Sequence, residues 1–257
     1  MKHLLKLLDL SKEEITELLD LADRLKAETK AGVEHHILKG KTLGMIFEKS
    51  STRTRVSFET GMYQLGGHAL FLSSRDLQIG RGEPVEDTAR VLSRYLDGIM
   101  IRTFAQEEVE TLARVGSIPI INGLTDFCHP CQVLADLQTV REYKGRIEGL
   151  NMCYIGDGNN MANSWIEAAM YFPFQLNMAI APGYEPDQQL LALALQSGAK
   201  IFLTHDPKLA VDGANYIYAD VWASMGQEEE RAVRAAAFAG YQVNDRLMTL
   251  TNPGCMV

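Results

Sequence analysis

Leu43-Gly44-Met45-Ile46-Phe47 runs directly into Glu48-Lys49-Ser50-Ser51-Thr52-Arg53-Thr54-Arg55, after which Val56, Phe58, Met62 and Leu65 recur at helical spacing. A short apolar run, a hydroxyl-rich turn and a helix start make the opening of a β-then-α unit. The same order is a physical recipe for holding an anion. The free N–H groups of the helix's first turn point outward, and the helix dipole favours negative charge there. Ser51, Thr52 and Thr54 add hydroxyl donors, and Arg53 can add a charge-assisted, bidentate bond. On composition alone, an ordinary Ser/Thr helix cap flanked by surface arginines is an equally good account.

The alternation continues outward from this stretch. Further strand candidates are Ala69–Leu72, Gly98–Ile101, Ile118–Ile121, Met152–Ile155, Met178–Ala181, Lys200–Leu203 and Tyr216–Val221. Helical patterns lie between most of them: Val85–Leu96, Glu107–Val115, Gln132–Glu142, Asn163–Tyr171, Gln188–Gln196 and Glu228–Ala239. An amphipathic helix precedes them all, opened by Ser11 and Glu14 at capping-box spacing. Repeated β-then-α order predicts an α/β fold of parallel sheets flanked by helices. The polar, glycine-containing stretch Tyr143–Leu150 is the natural break, predicting two domains at residues 1–143 and 144–257, each with its own sheet. Ligands of such sheets bind beyond the carboxyl ends of the strands.

The bulk properties narrow the function. With 257 residues, 46% hydrophobic and 23% charged, the chain can bury a sizeable core. A net charge of −8 argues against wholesale binding of a nucleic-acid backbone, while leaving room for a local cationic pocket. No apolar run reaches membrane-span length, and the opening residues do not read as a signal peptide. Four cysteines in a chain of this length do not make a disulfide scaffold, so a reducing cytoplasm is expected. Cys128 and Cys131 bracket His129-Pro130, but no second ligand pair stands at zinc spacing.

Phe47–Arg55 with Ser57-Phe58-Glu59, Asp126–Gln132 with Leu134-Ala135-Asp136, and Ile99–Arg102 together resemble the aspartate/ornithine carbamoyltransferase family. The resemblance spans the chain and implies that family's two-domain fold. It also implies roles: Ser51, Thr52, Arg53 and Thr54 hold the phosphate of carbamoyl phosphate. Arg102 and His129 contact its carbonyl oxygen, and Gln132 its amino end. Ser74–Leu92 is similar to the family's loop that reaches a neighbouring subunit's site, with Gln78 the contributing residue. That implies a homotrimer with shared sites. No metal or organic cofactor is implied.

Ile155-Gly156-Asp157-Gly158-Asn159-Asn160-Met161 partly fits a dinucleotide fingerprint, but Met161 replaces its third glycine, and the next strand ends in Ala181-Pro182-Gly183 without a ribose-binding acid. The stretch is also similar to the ornithine-type segment whose second asparagine, here Asn160, binds the amino acid. Asp220-Val221-Trp222-Ala223-Ser224-Met225-Gly226 resembles the ornithine-type closing loop. Asp220 would then take the α-ammonium group, with Ser224 and Met225 covering the substrate. The resemblance thus implies carbamoyl transfer to the δ-amine of L-ornithine, giving L-citrulline and phosphate, with putrescine a weaker alternative. Family members continue into a His-Cys-Leu-Pro motif and a final helix beyond the segment aligned with Asn252–Val257. Their absence implies low turnover, or a chain that binds carbamoyl phosphate or pairs with full-length subunits without catalysing transfer.

Overall fold

The computed structural model describes residues 2–223 and 228–257; the expected ligands Ser224 and Met225 lie outside the described residues. The chain divides into two compact units, one ending at Cys131 and the other running from Gln132. The division falls at the start of a helix, Pro130–Lys144, so the polar stretch at 143–150 marks that helix's far end.

The first unit holds α1 (Lys12–Lys30), β1 (Thr42–Phe47), α2 (Thr52–Gln64), β2 (His68–Ser73), α3 (Val85–Leu92), β3 (Gly98–Arg102), α4 (Gln106–Val115) and β4 (Ile120–Leu124). α1 begins as its sequence predicts: the Ser11 hydroxyl accepts from Glu14 N, and the Glu14 carboxylate accepts from Ser11 N. The sheet is parallel, in the order β2-β1-β3-β4. Met45, Ile46, Ile99, Met100 and Ile101 are fully buried, as expected for strands covered on both faces. β4 starts at Ile120 rather than Ile118, because Pro119 has no N–H for the ladder and offers only its carbonyl, to Ile99 N. α3 stops at Leu92, short of the predicted Leu96. The tail tightens into a turn that buries Leu96 and lets Asp97 accept from Thr42 N at 2.9 Å.

The second unit takes in most of α5 (Pro130–Lys144), then β5 (Asn151–Gly156), α6 (Asn160–Tyr171), β6 (Gln175–Ile180), α7 (Gln188–Gln196), β7 (Lys200–Thr204), α8 (Pro207–Val211), β8 (Tyr216–Ala219), α9 (Arg231–Ala237) and α10 (Asp245–Met248). Its sheet is parallel, in the order β7-β6-β5-β8. β8 ends at Ala219, two residues before the predicted Val221, so Asp220 is the first residue off the strand. The predicted helix Glu228–Ala239 resolves into a 3-10 turn at Glu228–Glu230 and α9. α6 is buried over most of its length, with Trp165, Ile166 and Ala168 fully enclosed.

Both sheets reverse direction once. In the first, β1 lies between β2 and β3, so the loops after β1 and β3 leave on opposite sides and open a crevice at their carboxyl ends. In the second, β5 lies between β6 and β8 and does the same. Open α/β sheets bind their ligands at such switch points.

Candidate active site

The switch point of the first sheet carries cations. Phe47 and Arg102 are register partners at the ends of β1 and β3. The β3–β4 register shifts after Ile101, where Gly123 is the extra, unpaired residue on β4. Arg102 is the first residue of β3 past that shift. It is 6% exposed, and its carbonyl accepts from Glu48 N at 2.9 Å, tying it to the turn that enters α2. Ser51 caps that helix: its hydroxyl accepts from Thr54 N at 3.3 Å and donates to Thr54 Oγ1 at 3.0 Å. An Arg102 guanidinium nitrogen lies 3.5 Å from the same Thr54 oxygen. Its Nε–H finds no acceptor among the described residues, so the guanidinium keeps donor capacity for a ligand.

Charge gathers here. Burial lowers the Arg102 pKa first, and the nearby charge of Arg53 lowers it further. His129 is held down to about 3, by burial and then by Arg102. Its imidazole is therefore neutral near neutral pH, able to donate an N–H without carrying charge. An anion would relieve the repulsion between Arg53 and Arg102. Thr52, the first residue of α2, is exposed at the same helix end. Lys49, although almost buried, is not a free cation: it pairs with Asp126 and lies 4.3 Å from the centre of the Phe104 ring.

Gln78 stands elsewhere. It is exposed in the turn after β2, its carbonyl accepting from Arg81 N and Glu83 N, and no hydrogen bond among the described residues joins it to the Ser51–Thr54–Arg102 group. The Cys128 and Cys131 thiols face Leu5 O and Asn122 O, and burial pushes Cys131 up to about 12. Thiols so held are packing groups. Among the described residues, no cluster of three metal-binding side chains occurs, and no helix is long and apolar enough to cross a membrane.

The switch point of the second sheet carries carboxylates. Asp157 follows β5, and Asp220 follows β8. Asp220 Oδ2 accepts from Asn159 Nδ2 at 3.1 Å, and its Oδ1 from Val221 N at 2.8 Å. Asn160 is the first residue of α6, its carbonyl accepting from Ser164 Oγ at 2.7 Å. Gln132 donates to Asp136 Oδ1 at 2.9 Å, one helical turn along α5. Burial pushes the Asp136 carboxyl up to about 7, against the pull of the Gln132 hydrogen bond, and the charge of Asp220 adds to the rise.

Two anchors of this region escape sequence reasoning. Arg234 of α9 pairs with the buried Asp157 at 2.7 Å, with Glu230 at 2.8 Å, and donates to Trp222 O at 3.2 Å. It thereby ties the turn after β5 to the loop after β8. Asn159 is the second. Its Oδ1 accepts from Met161 N at 2.9 Å and Ala162 N at 3.4 Å, occupying amides that a dinucleotide pyrophosphate would need. Gly158 makes the same point. A Cβ there would stand 2.3 Å from Tyr184 O and 2.3 Å from Pro186 N, so that glycine's free side is filled by protein backbone rather than left for a phosphate.

A doubly wound pair of sheets, with cations and hydroxyls at one switch point and carboxylates at the other, is suited to an anionic and an ammonium-bearing ligand. The chain belongs to the aspartate/ornithine carbamoyltransferase family. Residues 2–142 match the family's carbamoyl-P binding domain, and residues 148–257 its Asp/Orn binding domain. An ornithine carbamoyltransferase of Syntrophotalea carbinolica is 61% identical over 256 residues, covering 100% of this chain and 85% of the relative. The solved ornithine carbamoyltransferase of Pyrococcus furiosus is 49% identical with a TM-score of 0.93, covering 98% of this chain and 82% of that one. An anabolic ornithine carbamoyltransferase from Campylobacter jejuni also reaches a TM-score of 0.93 at 40% identity, covering 100% of this chain and 85% of that one.

Proposed function

We propose that this chain is an ornithine carbamoyltransferase, passing the carbamoyl group of carbamoyl phosphate to the δ-amine of L-ornithine to give L-citrulline and phosphate. The observation that carries this most is the 61% identity, over its whole length, to a protein of that name. The site chemistry supports it independently. Ser51, Thr52, Arg53 and Thr54 suit a phosphate at the start of α2. As the amine attacks the carbonyl carbon, negative charge grows on the carbonyl oxygen. Arg102 and the neutral His129 are suited to donate to that oxygen, and one such donor is worth about 3 kcal/mol of barrier. Gln132 would contact the carbamoyl amino group. The C–O bond to phosphate then breaks, the amine loses its proton, and phosphate departs against Arg53.

In the second unit, Asp220 would take the α-ammonium group, with Asn160, Ser224 and Met225 completing the contacts. We further place the enzyme in the cytoplasm, in arginine biosynthesis, as a homotrimer in which the exposed Gln78 serves a neighbouring subunit's site. Colorimetric assay of citrulline from carbamoyl phosphate and L-ornithine tests the assignment. Product is expected with ornithine and far less with putrescine or L-aspartate. Absence of citrulline at saturating substrates would sink it.

A further inference from the structure

Asn159 lies one residue before the amino-acid ligand expected from resemblance, and its amide is engaged at both ends. Its Oδ1 accepts from Met161 N at 2.9 Å and Ala162 N at 3.4 Å, which caps α6. The Tyr154 hydroxyl sits 3.1 Å from the same oxygen and 2.8 Å from Asp157 O. These donors settle which end of the amide faces the helix. Nδ2 must then face outward, and it meets Asp220 Oδ2 at 3.1 Å. The other Asp220 oxygen is held by Val221 N at 2.8 Å. Each carboxylate oxygen accepts one bond from a different side, and each keeps a lone pair for a ligand.

We infer that Asn159 is a positioning residue for the second substrate: it locks the Asp220 carboxylate to the start of α6 so that its remaining lone pairs receive an ammonium group. The inference rests on the assignment of Asp220 to that ammonium. The surroundings are suited to a cation. The charge of Asp220 is felt by Asp136, Asp157, Tyr154 and Tyr218, in each case favouring the protonated form. An ammonium group placed against Asp220 would offset that crowding. Without the Asn159 donor, Val221 N alone would hold the carboxylate, and its Oδ2 would lose its aim.

Asn159→Asp separates this role from helix capping. Aspartate caps a helix about as well as asparagine, but it turns an oxygen toward Asp220. Expected are a KM for L-ornithine raised about tenfold or more, a KM for carbamoyl phosphate within about twofold of the parent, and a thermal midpoint within a few degrees. Asn159→Ser, which also caps but cannot reach Asp220 as a donor, should raise the ornithine KM alone as well, and it serves if the aspartate variant fails to fold. If both variants keep the parental ornithine KM while Asp220→Ala raises it, Asn159 has no positioning role and Asp220 keeps its own. If Asp220→Ala also leaves that KM unchanged, the ammonium assignment falls and the inference with it.

Discussion

At the end of β1 the chain enters α2 through Ser51; at the end of β5 it enters α6 through Asn159. Both helix starts lie at a sheet's switch point, and both use a side chain to cap the helix. They differ in what the cap leaves over. Ser51 takes the Thr54 amide and hands the end of α2 to hydroxyls and to Arg53, with Arg102 behind. Asn159 takes two amides of α6 and turns its remaining donors to a carboxylate. One strand–turn–helix device thus sits among hydroxyls and arginines in the first unit and beside a carboxylate in the second. Fold places the helix start; cap chemistry and neighbouring charge set the sign of charge that stands there.

The comparison breaks most sharply at Arg102. Arg102→Ala should lower kcat for citrulline formation about a hundred- to a thousandfold, the range for losing one preorganised donor. A thermal midpoint near the parent's would show that the loss is chemical. Retention of more than a tenth of kcat would remove Arg102 from the carbonyl-oxygen contact. Next comes the anchor of the second unit. Arg234→Ala leaves Asp157 buried without its partner and should cost about 3 kcal/mol in urea unfolding, the low end of the range for breaking a buried pair. Loss below 1 kcal/mol would mean that the pair serves only to hold the loop.

The smallest effect contrasts the units by pH. His129, held to about 3 against an ordinary 6.5, refuses between those values a proton that the unfolded chain accepts. Its contribution therefore weakens stability as pH falls from 6.5 toward 3. Asp136, raised to about 7 from 3.8, does the reverse: the folded chain keeps a proton that the unfolded chain has lost, so stability falls as pH rises through that window. Unfolding free energies from urea titrations at about pH 4 to 8 should show His129→Asn flattening the acid side and Asp136→Asn flattening the fall toward neutrality, each by on the order of 1–2 kcal/mol. Parallel profiles for parent and variants would remove both groups from the pH response.

The eight strands found among the described residues are legible because each is a short apolar run set between turn residues and helical patterns. Arg102 and Asp220 are legible for the same reason, standing at or directly after strand ends, and Ser51 by its place at the start of the helix that follows β1. Asn159 is not, because it is the first of two adjacent asparagines, and sequence does not say which one turns its amide back into the helix. Arg234 is hidden in a helical pattern rich in glutamate and alanine, where an arginine ordinarily faces solvent. Only the folding of α9 against the turn after β5 makes it a buried partner of Asp157. Asp136 enters the sequence resemblance as one residue of a motif, but its burial and the nearby charge of Asp220 come only from the fold.

Gly158 limits how far this sequence can drift. With the Gly158 N–H bonded to Tyr184 O at 2.8 Å and backbone atoms closing on its free side, no side chain fits without displacing residues 184–186. Gly145, by contrast, needs glycine only for its backbone, at φ +71 with open space around it, so asparagine can stand there. Among natural variants position 158 should be the silent one, not through any chemistry of its own, but because a methyl group there would unseat the turn that aims Asn159.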